Sequence, residues 1–198
     1  MNDTEHFSIP DADAGRLRRL RAELATRATD AGVLDIAYRT VDGPLGPLLV
    51  AATTSGVVRV AFEREDHDAV LSSLAATLSP RILCSGRRTD DVARQLDEYF
   101  AGTRHRFDVA VDLALVNGFR REVIATLADI AYGERASYAE LARRAGRPNA
   151  VRAVGSACAN NPVPVVVPCH RVVRSDGTIG QYRGGTDAKH VLLALEAA

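Results

Sequence analysis

Residues 137–173 read SYAELARRAGRPNAVRAVGSACANNPVPVVVPCHRVV, and the fold of the second half of the chain turns on this stretch. Ser137 is a good N-cap for a short helix over 138–145, with Glu140 placed to complete a capping box. Gly146, Arg147 and Pro148 form a turn, and Asn149 is positioned to cap a second helix over 150–160. Two short helices across a glycine-containing turn predict a helix-turn-helix. The second helix is made almost wholly of Ala, Val, Gly and Ser, with one long charged side chain, Arg152. Small residues let another backbone come close, either a neighbouring helix or a nucleic-acid groove. Helix packing explains Ala153, Gly155 and Ala157. An arginine on such a face suits phosphate contact or insertion into a base stack. Cys158 reads as a small packing residue.

After that helix the pattern changes. Pro162, Pro164 and Pro168 exclude a helix and weaken any sheet ladder, so a rigid, extended path between valines is expected. Cys169 sits at its end, beside His170. A thiolate is the useful nucleophile, and a neighbouring base or cation favours it. Adjacent residues on an extended chain point to opposite sides, so a turn or a bridging water is needed for the two to cooperate. A third group would orient the histidine, and Glu196 in the C-terminal helix is the candidate.

Toward the N-terminus, Phe119–Ile130 has helical periodicity, and residues 112–117 mark a soft boundary. Residues 34–41, 48–52 and 57–62 read as three strands of an antiparallel meander, with turns at Gly43–Gly46 and Ser55–Gly56. Helices are expected over 66–78 and over 90–100, the second with Val92, Leu96 and Phe100 on one face. Residues 107–111 alternate like a strand. Residues 11–31 predict a helix with Leu17, Leu20 and Leu24 turned onto its own domain.

Composition fits a soluble globular protein: 46% hydrophobic and 25% charged residues among 198. No apolar run approaches the ~20 residues of a membrane helix, and the first ten residues lack a secretory pattern, so a cytoplasmic protein is expected. Cys84, Cys158 and Cys169 are odd in number and unpaired in spacing, which suggests neither a disulfide framework nor a zinc site. Net charge is zero, but residues 1–116 carry 14 Arg against 18 acidic residues, and residues 117–198 carry 10 Arg and one Lys against 7. The basic excess lies with the helix-turn-helix, as DNA contact would require.

Pro162–Val173, and above all the Pro-Cys-His-Arg-Val core at 168–172, resembles the active-site signature of the O6-alkylguanine-DNA alkyltransferases, the methylated-DNA–protein-cysteine methyltransferases. The resemblance extends through Ser137-Tyr138, Arg152–Gly155, Asn161–Pro164, Tyr182 with Gly184-Gly185, Lys189, Leu192-Leu193 and Glu196, in the family's order and spacing. It covers residues 90–197 well and 34–63, with the Pro44–Gly46 turn, more weakly. It implies an α+β fold: an N-terminal ribonuclease-H-like antiparallel sheet with helices, then a mainly helical C-terminal domain with a helix-turn-helix of winged-helix type. The expected division is a helical extension 1–33, an α/β domain 34–113 and a catalytic, DNA-binding domain 114–198.

The resemblance also implies a chemistry. O6-alkylguanine is flipped from duplex DNA, bound through its minor groove, and its alkyl group passes irreversibly to Cys169. O4-alkylthymine is a second possible substrate. By the same resemblance His170, oriented by Glu196, takes the thiol proton through a water. Tyr138 donates toward the base, and Asn161 braces the active-site turn. Val172, Tyr182, Arg183 and Gly184 bound the substrate pocket. Arg152 fills the vacated stack, and Tyr138, Arg120, Arg147, Ala153 and Ser175 contact DNA. No cofactor and no metal are implied, and a monomer is expected.

The sequence departs from the family in three respects. Arg183 stands where some members have a small residue, Val191 replaces a frequent tryptophan, and Cys84 alone cannot build the N-terminal zinc site of some relatives. The alternative reading is a protein that flags alkylated bases without transfer, and the presence of Cys169 speaks against it. A cysteine hydrolase using Cys169, His170 and Asn161 would need an oxyanion hole that no motif supplies. A regulator using the helix-turn-helix alone would be expected to carry major-groove-reading side chains on the second helix, and they are absent.

Overall fold

The computed structural model describes residues 11–197. It begins with helix α1 (Asp11–Asp30), followed by strands β1 (Ile36–Val41), β2 (Leu48–Thr53) and β3 (Gly56–Phe62). Helix α2 (His67–Thr77), strand β4 (Ile82–Cys84) and helix α3 (Asp90–Phe100) complete the first half. β1, β2 and β3 form the expected antiparallel meander. β4 joins β1 in parallel, so the four-stranded sheet, ordered β3-β2-β1-β4, is mixed rather than purely antiparallel. A three-residue strand is too short to show a period, and for that reason the sequence reading misses it. Residues 107–111 form no strand; only Val111 makes an isolated bridge, to Val57.

β2 is buried on both sides and alternates between them. Leu48 and Val50 join Val57, Val60 and Phe62 in the main core, while Leu49 and Ala51 join Val58, Val70 and Leu74 on the other face. Helix α2 therefore covers one face, and the other packs on the helical second half through Val123, Ile124 and Leu127. Asp66 caps α2, accepting from the amides of Asp68 and Ala69. On α3 the buried face is Val92, Leu96 and Tyr99, with Phe100 only half-buried. Around the helix Tyr99 stands about 20° from Val92 and Phe100 about 80° from it, so the period itself puts the tyrosine on the buried face and the expected phenylalanine at its edge. Helix α1 lies against β4. Its Leu20 and Leu24 are more than half exposed, so the expected apolar stripe is only partly turned onto the domain.

The second half holds α4 (Gly118–Leu127), α5 (Tyr138–Arg144), α6 (Val151–Ala159) and α7 (Thr186–Leu195). Two-residue strands β5 (Ala136–Ser137) and β6 (Val172–Val173) pair in parallel. Ser137 and Glu140 close the expected capping box at α5. The residue at the α6 cap is Ala150, not Asn149, and no side chain caps that helix. Among the described residues no helix is long and apolar enough to cross a membrane.

Candidate active site and nucleic-acid surface

The β5–β6 pairing sets Ser137 beside Val173, and this brings the start of α5, with Tyr138, next to the Cys169 segment. That segment is seated on the sheet. The Pro162 carbonyl accepts from the Val60 amide at 2.9 Å and from the Arg59 guanidinium at 3.2 Å. It does not run extended throughout: Val165 has φ of 72°, rare for a β-branched residue, and Cys169–Arg171 is a turn of 3-10 helix. The turn replaces the extended alternation expected at Cys169 and His170.

Asn161 is fully buried and satisfies three groups of this turn. Its Nδ2 donates to the Val167 carbonyl at 2.9 Å and to Cys169 Sγ at 3.2 Å, and its Oδ1 accepts from the Val163 amide at 3.0 Å. Cys169 is only 2% exposed. Burial pushes its thiol up to about 11, opposed by the Asn161 hydrogen bond and the nearby Lys189 charge. The resting side chain is therefore a thiol near neutrality, and its proton must leave as it reacts.

His170 is fully buried, and burial lowers its affinity for a proton below that of a free histidine. Its Nε2 lies 2.9 Å from Glu196 Oε1. A carboxylate accepts only, so Nε2 carries the hydrogen and the lone pair of the neutral ring is on Nδ1. Nδ1 has no hydrogen-bond partner among the described residues. Burial alone would raise the Glu196 carboxyl; hydrogen bonds from His170 and Arg171 outweigh it and hold the group well below the usual carboxylate range. Arg171 grips both carboxylate oxygens at 2.8–3.1 Å, and Tyr99 donates to Oε1 at 2.6 Å. A carboxylate at the C-terminal end of α7 opposes the helix dipole, and the buried arginine offsets that. Neither Arg171 nor Tyr99 was singled out by sequence. The signal for Arg171 was its place beside His170; for Tyr99 it was a hydroxyl in an otherwise apolar helical stripe.

Lys189, fully buried, donates to the Val172 carbonyl at 2.5 Å and fixes the end of the turn. Val172 is fully buried and Tyr182 nearly so, with Tyr182 edge-on to Phe62 and to His170. A side chain at Gly184 would meet the Phe62 ring at 2.7 Å, so only glycine allows the 182–185 loop to lie on the sheet domain. Gly180 rests against the Tyr138 hydroxyl, closing the loop over the phenol, and burial raises the affinity of Tyr138 for its proton. Arg183 is committed to Glu65, which also binds Arg59 at 2.5 Å. Its guanidinium is thus held by the sheet domain instead of standing free at the pocket, an arrangement the sequence did not reveal.

On the outside, α6 buries Val154, Ala157 and Cys158 against α4 and α5 and exposes Arg152, Ala153 and Ser156. The small residues at 153 and 156 do not pack on another helix. Arg120 and Ser175 are exposed. Arg147 is exposed too, but lies over the Phe119 ring with Glu122 at 4.0 Å. No group of His, Cys, Asp and Glu suited to a metal occurs among the described residues.

Residues 36–113 match the ribonuclease-like domain model of 6-O-methylguanine DNA methyltransferase, and residues 118–198 match its DNA-binding domain model. A methylated-DNA–protein-cysteine methyltransferase of Mycolicibacterium paratuberculosis is 40% identical over 161 residues, covering 81% of the chain and 92% of the relative. The crystal structure of Mycobacterium tuberculosis O6-methylguanine methyltransferase superimposes with a TM-score of 0.71 at 35% identity, over 82% of the chain and 93% of that structure. The Mycobacterium tuberculosis protein in complex with DNA gives a TM-score of 0.69 at 35% identity, over 81% and 92%.

Proposed function

Since the chain belongs to the O6-methylguanine-DNA methyltransferase family, we propose that Cys169 is the sulfur that takes the alkyl group. The activity itself is direct-reversal DNA repair by transfer of an alkyl group from DNA to a protein cysteine. The observation that carries the assignment is the buried chain from the Asn161 amide to Cys169 Sγ, with the His170–Glu196 pair on the same turn. In the proposed step the Sγ–carbon bond forms as the carbon–O6 bond breaks. The thiol proton passes through a water to His170 Nδ1, and the bonding electron pair leaves with the guanine oxygen. Glu196 supports the charge that appears on His170. Tyr138 donates toward the base and relieves the charge left there. A thioether is stable, so each molecule acts once.

Val172, Tyr182 and Gly184 wall the base pocket in this reading, and Arg183 acts on it indirectly, through Glu65. The bare face of α6 fits the minor groove, only ~6 Å wide, where bulky side chains would be excluded. Arg152 enters the stack when the base leaves. Arg120, Ser175, Tyr138 and Ala153 lie along the same contact, and Arg147 joins if it leaves Glu122. The protein works as a cytoplasmic monomer, with domains at 34–113 and 114–198 behind the extension 1–33.

The test is intact-protein mass spectrometry after mixing with a duplex holding one O6-methylguanine. The expected result is a gain of one methyl per chain, mapped to Cys169 and absent in Cys169→Ala. Tight binding of the duplex without a mass gain would instead identify a damage-recognition protein.

A further inference from the structure

We propose that Tyr99 is a positioning residue of the proton relay, supplied by the sheet domain, whose hydroxyl sets how strongly Glu196 supports a proton on His170. The inference rests on the reading of Cys169 as acceptor and His170 as base. Tyr99 ends the buried stripe of α3 and is fully buried. Its ring packs among Phe100, Phe107 and Tyr132, and a phenylalanine would fill that space equally well. Packing therefore accounts for the ring and not for the hydroxyl. The hydroxyl lies 2.6 Å from Glu196 Oε1 and 3.4 Å from His170 Nε2. It thus shares one carboxylate oxygen with the histidine, across 97 residues of sequence.

Tyr99, His170 and Arg171 all donate to this oxygen, and the donors compete for its charge. When the thiol proton reaches His170, the imidazolium is stabilised by whatever negative charge Oε1 still offers Nε2. The Tyr99 hydrogen bond withdraws part of it, while holding the carboxylate against the ring. Removing the hydroxyl returns that charge to the histidine and makes the protonated ring easier to form. The other groups facing this pair are Arg171, Lys189, Tyr132, Tyr182 and the Cys169 thiol. All of them are retained when only the Tyr99 oxygen is removed.

The experiment is the single-turnover rate of methyl transfer from the O6-methylguanine duplex, measured against pH for the full chain and for Tyr99→Phe. Because the thiol and imidazole titrate together, the midpoint belongs to the pair. It is expected to move to higher pH by about one unit, the worth of one hydrogen bond to a charged group. A fluorinated tyrosine at position 99, a stronger donor with the same ring, is expected to move it downward. An unchanged or lowered midpoint in Tyr99→Phe, with its melting temperature close to that of the parent, would overturn the inference and leave the ring as packing. Should Tyr99→Phe unfold, the fluorinated protein decides alone, and an unmoved midpoint there overturns it equally. Failure of the parent protein to methylate Cys169 at any pH would defeat the underlying reading instead.

Discussion

In the proposed relay, Glu196 serves stability and chemistry together. Its carboxylate neutralises Arg171, a buried guanidinium whose remaining donor is taken by the Ile130 carbonyl at 2.6 Å. Glu196→Gln keeps the shape but leaves Arg171 charged and unpaired. Breaking a buried pair from one side costs about 3–5 kcal/mol, a large share of the roughly 5–15 kcal/mol that holds a domain folded. The variant is expected to lower the denaturant midpoint by that equivalent and to slow methyl transfer at saturating duplex. A variant of parental stability would show that Arg171 finds another partner. The His170 ring gives a second expectation, in pH. Burial depresses its folded value below 6.5, so on acidification the unfolded chain binds a proton before the folded one does. Stability is therefore complete above that pH and falls as the pH drops through it toward the folded value. A His170→Gln protein should lose this part of the slope in urea titrations at several pH values.

Among the elements, α6 carries the clearest separation of roles, with a buried face of Val154, Ala157 and Cys158 and an exposed one of Arg152, Ala153 and Ser156. Ala153→Leu adds bulk where nothing in the protein is touched. The expected effect on stability is within about 0.5 kcal/mol. Duplex affinity is expected to fall about tenfold or more, read by fluorescence anisotropy; unchanged affinity would remove α6 from the DNA contact. Elements also show what sequence can and cannot reveal. The helix pair was legible because capping chemistry is local: Ser137 and Glu140 are three residues apart. Cys169, His170 and Asn161 were legible because they share one short motif, and Glu196 because it keeps a fixed place after it. The clasp of Arg59, Glu65 and Arg183 was not, since it joins residues more than a hundred positions apart whose meeting depends on how the halves pack. Likewise β4 became a strand only by pairing with β1, whereas Tyr99 stands on the Val92–Leu96 face where the helical period puts it.

Across the whole molecule the two halves are joined at several points. The Pro162 carbonyl is held by β3, the 182–185 loop rests on Phe62, and Tyr99 reaches Glu196. The Cys169 segment therefore rests on both. Asn161 holds the turn at three points, one of them the sulfur itself, and Cys169 is buried. A methyl group added there must find room in a close-packed interior, and overfilling of this kind costs about 1–3 kcal/mol. For a chain of this size that is a fall of several degrees in melting temperature, at about 2–4 °C per kcal/mol. Calorimetry before and after one equivalent of O6-methylguanine duplex, with the DNA removed, would measure it; an unchanged melting temperature would mean that the interior absorbs the group freely. If the fall is seen, the same amide that steadies the unused protein makes the used one legible from outside. The history of a single chemical event is then written into the strength of the fold, where any machinery that samples unfolding can read it.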